Sequence, residues 1–400
     1  MTGILRTSSI LVAAVALAVG CGQGAQDSAA VTTAQDALHA KGGPKLTPQT
    51  SGTTSNLIAV SAVNDRVVWV AGAGGTFGVT TNGGATWRTG VVPGTEGQQM
   101  RDVQGVSEKV AYLLQIPVTD VARVFKTTDG GKTWTAQVQG ADVNEFFDCF
   151  AFWDATSGIM MVDSINGRFP VRRTLDGRTW QDIGNRLPPA LPGESGFASS
   201  GTCAATQGHR RGWITTGVPP APPEARWTTR VLRTTDRGQS WKAATAPITA
   251  GPEVAGGGFS IAFRDAQHGI LGGGDLNVPA AGVVPNFARS HDGGKTWSLG
   301  TAAPIVGAIY GLAYAGHGKG HDDDGDDDDD GHGHGNEQGD DHGGSIRVVA
   351  TAPTGTAWSG DEGRSWTSLP SLSGLWAVDF ADQQTGWLVG TKGQIVRIDF

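Results

Sequence analysis

The 400-residue chain carries 38 acids against 30 Lys and Arg, a formal net charge of −8, and contains 62 glycines. A composition rich in glycine and sparse in strong helix formers disfavours helical bundles and favours short strands joined by tight turns. Eleven acids and one Lys between His317 and His342 hold −10 of that charge, which leaves the remainder at +2; no basic stripe marks a nucleic-acid-binding surface.

The chain begins MTGILRTSSILVAAVALAVGCGQG, with Arg6, an apolar run from Ile10 to Val19 and small residues before Cys21. About ten apolar residues are too few to span a bilayer and match the central region of a signal peptide, so residues 1–20 read as a leader. Ala18-Val19-Gly20-Cys21 resembles a bacterial lipobox, with Ala18 where Leu is usual and Leu17 one place earlier. The resemblance implies lipidation of Cys21 and an exported protein anchored to a membrane at the cell envelope; a plain secretory signal is the alternative. Residues 21–44 are small, polar and aperiodic, as expected of a flexible tether.

From residue 45 a four-strand grammar repeats. The first unit reads NLIAVSAV, RVVWVAGA, TFGVTT and WRTGVV; the second RDVQGVS, VAYLLQI, ARVFKTT and WTAQVQ; the third FFDCFAF, GIMMVD, PVRRT and WQDI. The fourth runs GTCAAT, GWITTG, RVLRTT and WKAAT; the fifth FSIAF, GILGGG, NFARS and WSLG; the sixth AIYGLAYA, IRVVATA, GTAWS and WTSL. The seventh has LWAVDF, GWLVG and GQIVRIDF and then the chain ends, one strand short. KLTPQT, Lys45 to Thr50, precedes the first unit where a fourth strand would stand. Pairing it with the last unit would close a ring and protect the sheet edges, as in propellers. The expected fold is an all-β, seven-bladed propeller of four-stranded blades over residues 45–400.

Between third and fourth strands a short string recurs: TTNGGATW, TTDGGKTW, TLDGRTW, TTDRGQSW, SHDGGKTW and SGDEGRSW. Its acids, Asp129, Asp176, Asp236, Asp292 and Asp361 with Asn82 in the first copy, sit where a short side chain accepts hydrogen bonds from backbone N–H groups ahead of it. The glycines supply backbone geometry that a Cβ resists, and Trp87, Trp134, Trp180, Trp241, Trp297 and Trp366 bury area between neighbouring sheets. This pattern resembles the Asp-box, or BNR repeat; the third copy lacks one residue, which questions its turn. With Ala381 to Ile398, ADQQTGWLVGTKGQIVRI, the fuller grammar resembles the photosystem II stability and assembly factor family and its relatives in non-photosynthetic bacteria. That resemblance implies an exported, often lipidated propeller that binds an envelope protein or assembly intermediate without catalysis and without a cofactor.

Asp-boxes also occur in sialidases and other glycoside hydrolases, a rival reading that implies an Arg triad, a Tyr nucleophile with a Glu and an Asp acid. The F/Y-R-I-P motif of those enzymes is missing, and Tyr112, Tyr310 and Tyr314 all sit in strands, where packing is their expected role. Within residues 316–345, an insertion in the sixth unit expected to be disordered, Asp326, Asp328, Asp330, Gly331 and Glu337 match the EF-hand template by composition, without flanking helices. Its carboxylates, with His321, His332, His334 and His342, form a candidate weak site for a divalent cation, or a solvated spacer. Cys149 and Cys203 occupy equivalent first strands of adjacent units, placed either to pair or to pack as small apolar groups. The proline-rich stretches Arg186 to Gly196 and Gly217 to Arg226 read as connections or as polyproline surfaces.

Overall fold

Runs such as Leu57–Ala62, Ala111–Ile116 and Gly158–Val162 are buried at every residue. A strand achieves that only with another layer on each face. Stacking sheets around a common axis supplies it. The computed structural model describes residues 42–221, 226–252, 255–276, 282, 284–316 and 346–400, and Pro44–Phe400 forms one unit. The leader, Cys21, nearly all of the tether, and Asp326, Asp328, Asp330, His332, His334 and Glu337 lie outside the described residues.

The unit is seven four-stranded antiparallel sheets, each strand beside its sequence neighbour except the first, Lys45–Thr50. Blades one to six span residues 57–91, 99–139, 147–182, 204–250, 256–299 and 311–368. Blade seven takes Leu375–Phe380, Thr385–Gly390 and Gln394–Asp399 from the C-terminus and Lys45–Thr50 from the N-terminus. The pairing runs from Lys45 opposite Asp399 to Thr50 opposite Gln394. Gln49 adds two side-chain ties, its Oε1 accepting from Trp87 Nε1 at 3.1 Å in blade one and Trp387 Nε1 at 3.2 Å in blade seven.

First strands of successive blades touch all the way round, so they line the axis. Their fastenings differ from blade to blade. Gly105 N donates to Ser61 Oγ at 3.0 Å, Phe150 N to Asp102 Oδ2 at 2.8 Å, and Ala62 N to Asp379 Oδ2 at 2.8 Å. Blades three and four are joined covalently by Cys149–Cys203, with Cα atoms 5.9 Å apart. The two cysteines stand on the same rung of adjacent inner strands.

At one end of the ring each Asp-box closes its hairpin with the same ladder. In blade two, Asp129 Oδ1 accepts from Lys132 N and Thr133 N, both at 2.9 Å, while Thr133 Oγ1 donates to Oδ2 at 2.6 Å. Thr127 Oγ1 completes the turn, accepting from Gly131 N at 2.8 Å. The short third copy keeps this ladder with one residue fewer: Asp176 Oδ1 accepts from Arg178 N and Thr179 N at 2.8 Å. Asn82 does the same with its amide, Thr86 N donating to Oδ1 and Nδ2 donating to Thr86 Oγ1, each at 2.9 Å. The residue after the acid is left-handed even where it is not glycine, with φ 59° at Arg237 and 57° at Glu362. Each box Trp packs across the blade boundary; Trp134 of blade two meets Trp69 and Phe77 of blade one at centroid distances of 6.1 and 5.1 Å.

Candidate binding site at the axial mouth

The opposite end of the ring lacks this uniformity. Five inner strands carry a bulge at the same rung, with register shifts between Leu57 and Ala59, Met100 and Asp102, Phe147 and Cys149, Gly258 and Ser260, and Leu375 and Ala377. A bulge releases one side chain from the pleat and re-aims it. The residues so released are Ile58, Arg101, Asp148, Phe259 and Trp376, and Tyr310 holds the same place in blade six.

Three of them form a chain of ring contacts. Phe259 stacks with Tyr310 at 5.9 Å, Tyr310 meets Trp376 at 5.4 Å, and the Arg101 guanidinium lies over Trp376 at 5.6 Å. Arg101 belongs to blade two and Trp376 to blade seven, with blade one between them, so this last contact reaches across the mouth. Arg101, Tyr310 and Trp376 all stay half-buried rather than sealed.

The connection between blades three and four partly plugs the opening. Glu194 is its anchor: fully buried, it pairs with Arg230 and accepts from Thr216 Oγ1 at 2.6 Å and Leu191 N at 2.9 Å. From there the chain crosses the mouth. Phe197 stacks on Phe259 at 4.1 Å, Ala198 O accepts from Arg101 Nη1 at 3.1 Å, and Ser200 Oγ donates to Tyr310 O at 2.5 Å. The two proline-rich stretches meet beside it, through a bridge between Ser195 and Gly217.

Electrostatics at this end are set by burial. Desolvation lowers the Arg101 pKa from 12.5 to about 10, with the nearby Tyr310 hydroxyl opposing the shift. Arg101 makes no ion pair among the described residues, and both its Nε and Trp376 Nε1 are buried without a hydrogen-bond partner. Desolvation also pushes Asp102 and Asp148 well above the carboxylate range, and raises Asp163 to about 6. The neighbouring Asp163 charge adds to the upward push on Asp148, and Asp163 Oδ1 accepts from Gly196 N of the plug at 2.9 Å.

At the box end the shifts run the other way. Hydrogen bonds from Thr133 and Thr179 hold Asp129 and Asp176 far below the usual range. Burial works against Asp236, Asp292 and Asp361, but their turn hydrogen bonds win and lower all three. These carboxylates are already saturated by their own turns.

The hydrolase reading has one geometric counterpart. Tyr314 donates to Glu362 Oε1 at 2.9 Å, and Arg264 Nε reaches the same oxygen at 2.9 Å. Yet Tyr314 and Glu362 are buried between blades five and six by the box of blade six, with Arg264 half-buried beside them, and burial with the Glu362 charge drives the Tyr314 pKa well above 10. A phenol so placed is an interblade tie without access to a sugar. Tyr112 is buried too, donating to Ala155 O at 3.0 Å.

The sequence reading missed Arg101, Trp376, Phe197 and Phe259 and treated Tyr310 as packing. Aligning the units exposes them: the rung reads Ile58, Arg101, Asp148, Thr202, Phe259, Tyr310 and Trp376, while the rung two residues on stays small or aliphatic except for Phe150.

A family profile, the BNR/Asp-box repeat, matches residues 288–299, the hairpin of blade five. No curated protein matches the chain in sequence. Among solved structures it is similar to YCF48 bound to D1 peptide, with TM-score 0.53 at 16% identity over 89% of this chain and 95% of that one. YCF48 from Cyanidioschyzon merolae matches with TM-score 0.51 at 14% identity over 88% and 98%. At such identities the likeness is one of fold.

Proposed function

We propose that this protein is a non-catalytic scaffold that binds a protein partner through the plugged mouth of the ring, and that it is exported and lipid-anchored at the cell envelope. The observation that carries the reading is the contrast between the two ends. The carboxylates at the box end are consumed by their own turns, whereas the mouth presents half-buried aromatic rings beside an arginine with no counter-charge among the described residues. Aromatic and Arg side chains at the centre of a recessed surface are the groups that anchor protein interfaces. A YCF48 structure holding a peptide is a precedent for this fold in protein binding. Export is supported by the leader-like N-terminus and by a disulfide that persists only in an oxidising compartment.

Site-specific photo-crosslinking in the native envelope tests the reading. With the crosslinker at Phe197, one partner band is expected; with it at Lys295 on the box end, none. Equal labelling from both ends, or labelling from Lys295 alone, would overturn it. Loss of membrane association on Cys21→Ala checks the anchor separately, and an unchanged membrane fraction refutes it.

A further inference from the structure

We infer that Arg101, flanked by Trp376 and Tyr310, is a seat for a carboxylate carried by a peptide. The inference rests on the scaffold reading and specifies its chemistry. Three other largely buried arginines of the ring meet carboxylates, Arg172 with Glu145, Arg230 with Glu194 and Arg264 with Glu362, while Arg173 makes no ion pair among the described residues and donates to Arg237 O at 3.0 Å within the ring wall. Taking a charge out of water is costly unless an opposite charge compensates. Arg101 has only a backbone carbonyl, Ala198 O at 3.1 Å, and a ring face, Trp376 at 5.6 Å, among the described residues.

Its position makes this more than a misplaced surface charge. The bulge between Met100 and Asp102 turns Arg101 out of the pleat toward the axis, where a side chain buried against a neighbouring blade would pack instead. Arg101 Nε and Trp376 Nε1 lack acceptors, as do Arg172 Nε, Arg173 Nε and several Trp Nε1 groups elsewhere in the ring; these two are set apart by facing each other at the axial mouth. The nearest buried carboxyls do not supply an acceptor: Asp102 accepts from Phe150 N and Val103 N, and burial beside Asp163 pushes the Asp148 carboxyl well above the carboxylate range. A carboxylate accepts from a planar guanidinium in a paired geometry and has lone pairs left for an indole N–H. The rings of Trp376 and Tyr310 exclude water from one side of it and would cover the apolar part of the residue that bears it. Both a chain terminus and an Asp or Glu side chain carry this chemistry.

The test titrates the full-length protein, following the Trp376 indole N–H by NMR. Probes are an N-acetylated tetrapeptide Ala-Ala-Phe-Ala with a free C-terminus, its C-terminal amide, an amidated version with Asp at the last position, and inorganic phosphate. Saturable shifts are expected with the free acid or the Asp peptide, and none with the neutral amide; which of the two binds tighter identifies the source of the carboxylate. Arg101→Gln should weaken binding at least tenfold without lowering the melting temperature, and Arg101→Lys should retain part of it. Binding of the neutral amide, undiminished binding to Arg101→Gln, phosphate binding as tight as the peptides, or no saturation by about 10 mM, where a seat would be worth less than roughly 3 kcal/mol, would each overturn the proposal. Should envelope crosslinks from Phe197 persist while the carboxylate titrations fail, this inference falls and the scaffold reading stands.

Discussion

The two ends of the ring differ in how they satisfy polar groups. At the box end, six hairpins repeat one solution, and each acceptor is filled by residues three or four positions away in its own turn. At the mouth, the connections differ in length, buried carboxyls keep protons, a plug is pinned by one ion pair, and an arginine stands unpaired. Local hydrogen bonds occupy the box carboxylates within their own turns. At the mouth the charged groups are set by burial and by contacts between blades. A rigid end that repeats and an irregular end that displays loops is how a scaffold carries function.

The largest expected effect strikes the plug. Glu194→Ala removes one member of a buried pair and strands Arg230, which costs about 3–5 kcal/mol. Hydrogen exchange should then rise first over residues 195–201, because beyond Glu194 the segment holds to the ring through a single bridge at Ser195, one bond from Gly196 N and the contacts of Phe197, Ala198 and Ser200. A uniform rise in exchange would instead make the plug part of the core, and the contrast between the two ends would fail there.

Gly294→Val attacks the box end. Gly294 has φ 79°, and a Cβ there would come within 2.9 Å of Trp213 Nε1. Backbone strain and overpacking together cost about 2–4 kcal/mol. Chemical denaturation should show this loss while carboxylate-peptide binding at the opposite end is unchanged; loss of that binding would mean the ends are coupled. Smaller again is the covalent clasp. Reducing Cys149–Cys203, or replacing both by Ser, should lower stability by about 2–4 kcal/mol. The hydrogen-bonded strand closure at blade seven keeps the ring shut, so near-UV circular dichroism should stay native at 25 °C. Collapse of that signal would show that pairing of Lys45–Thr50 does not close the ring by itself.

How much of this was legible in the sequence follows the same division. The seven blades, the closing strand and the box turns were readable, because each rests on local patterns: alternating apolar runs, a glycine where a left-handed turn is needed, a Trp at a fixed distance from an acid. Even the shortened third copy, ending at Trp180, kept its turn, since the ladder from Asp176 needs only two successive N–H groups within reach. The mouth was not readable. Arg101 and Trp376 are 275 positions apart in sequence and meet only because blades two and seven both border the axis. Glu194, likewise, lies in the connection between blades three and four and Arg230 in a strand of blade four, and no spacing links them. Nothing in GESGFASSGT marks it as the segment that crosses the opening.

The smallest effect is also the most discriminating, because the two ends respond to pH with opposite sign. Asp292 and its counterparts have folded pKa values below the unfolded value near 4, so their contribution is full above about pH 4 and disappears as pH falls through the depressed value. Asp163, with a folded pKa of about 6, behaves inversely. Between about pH 4 and 6 the folded protein holds a proton there that the unfolded chain has released, so stability declines as pH rises across that window. Urea denaturation from pH 3 to 8 should therefore show two limbs, an acid loss from the boxes and a shallower decline above pH 4 from the mouth. Asp148→Asn tests the assignment: it removes the titrating carboxyl beside Asp163, while Gly196 N still donates to Asp163 Oδ1. The upper limb should become shallower, keeping the part that Asp102 contributes, while the acid limb stays. Asp292→Asn, which Asn82 shows can make the same turn, should trim only the acid limb. If Asp148→Asn leaves the slope above pH 4 untouched, the mouth carboxyls are not what sets it, and the electrostatic half of the contrast between the two ends is lost.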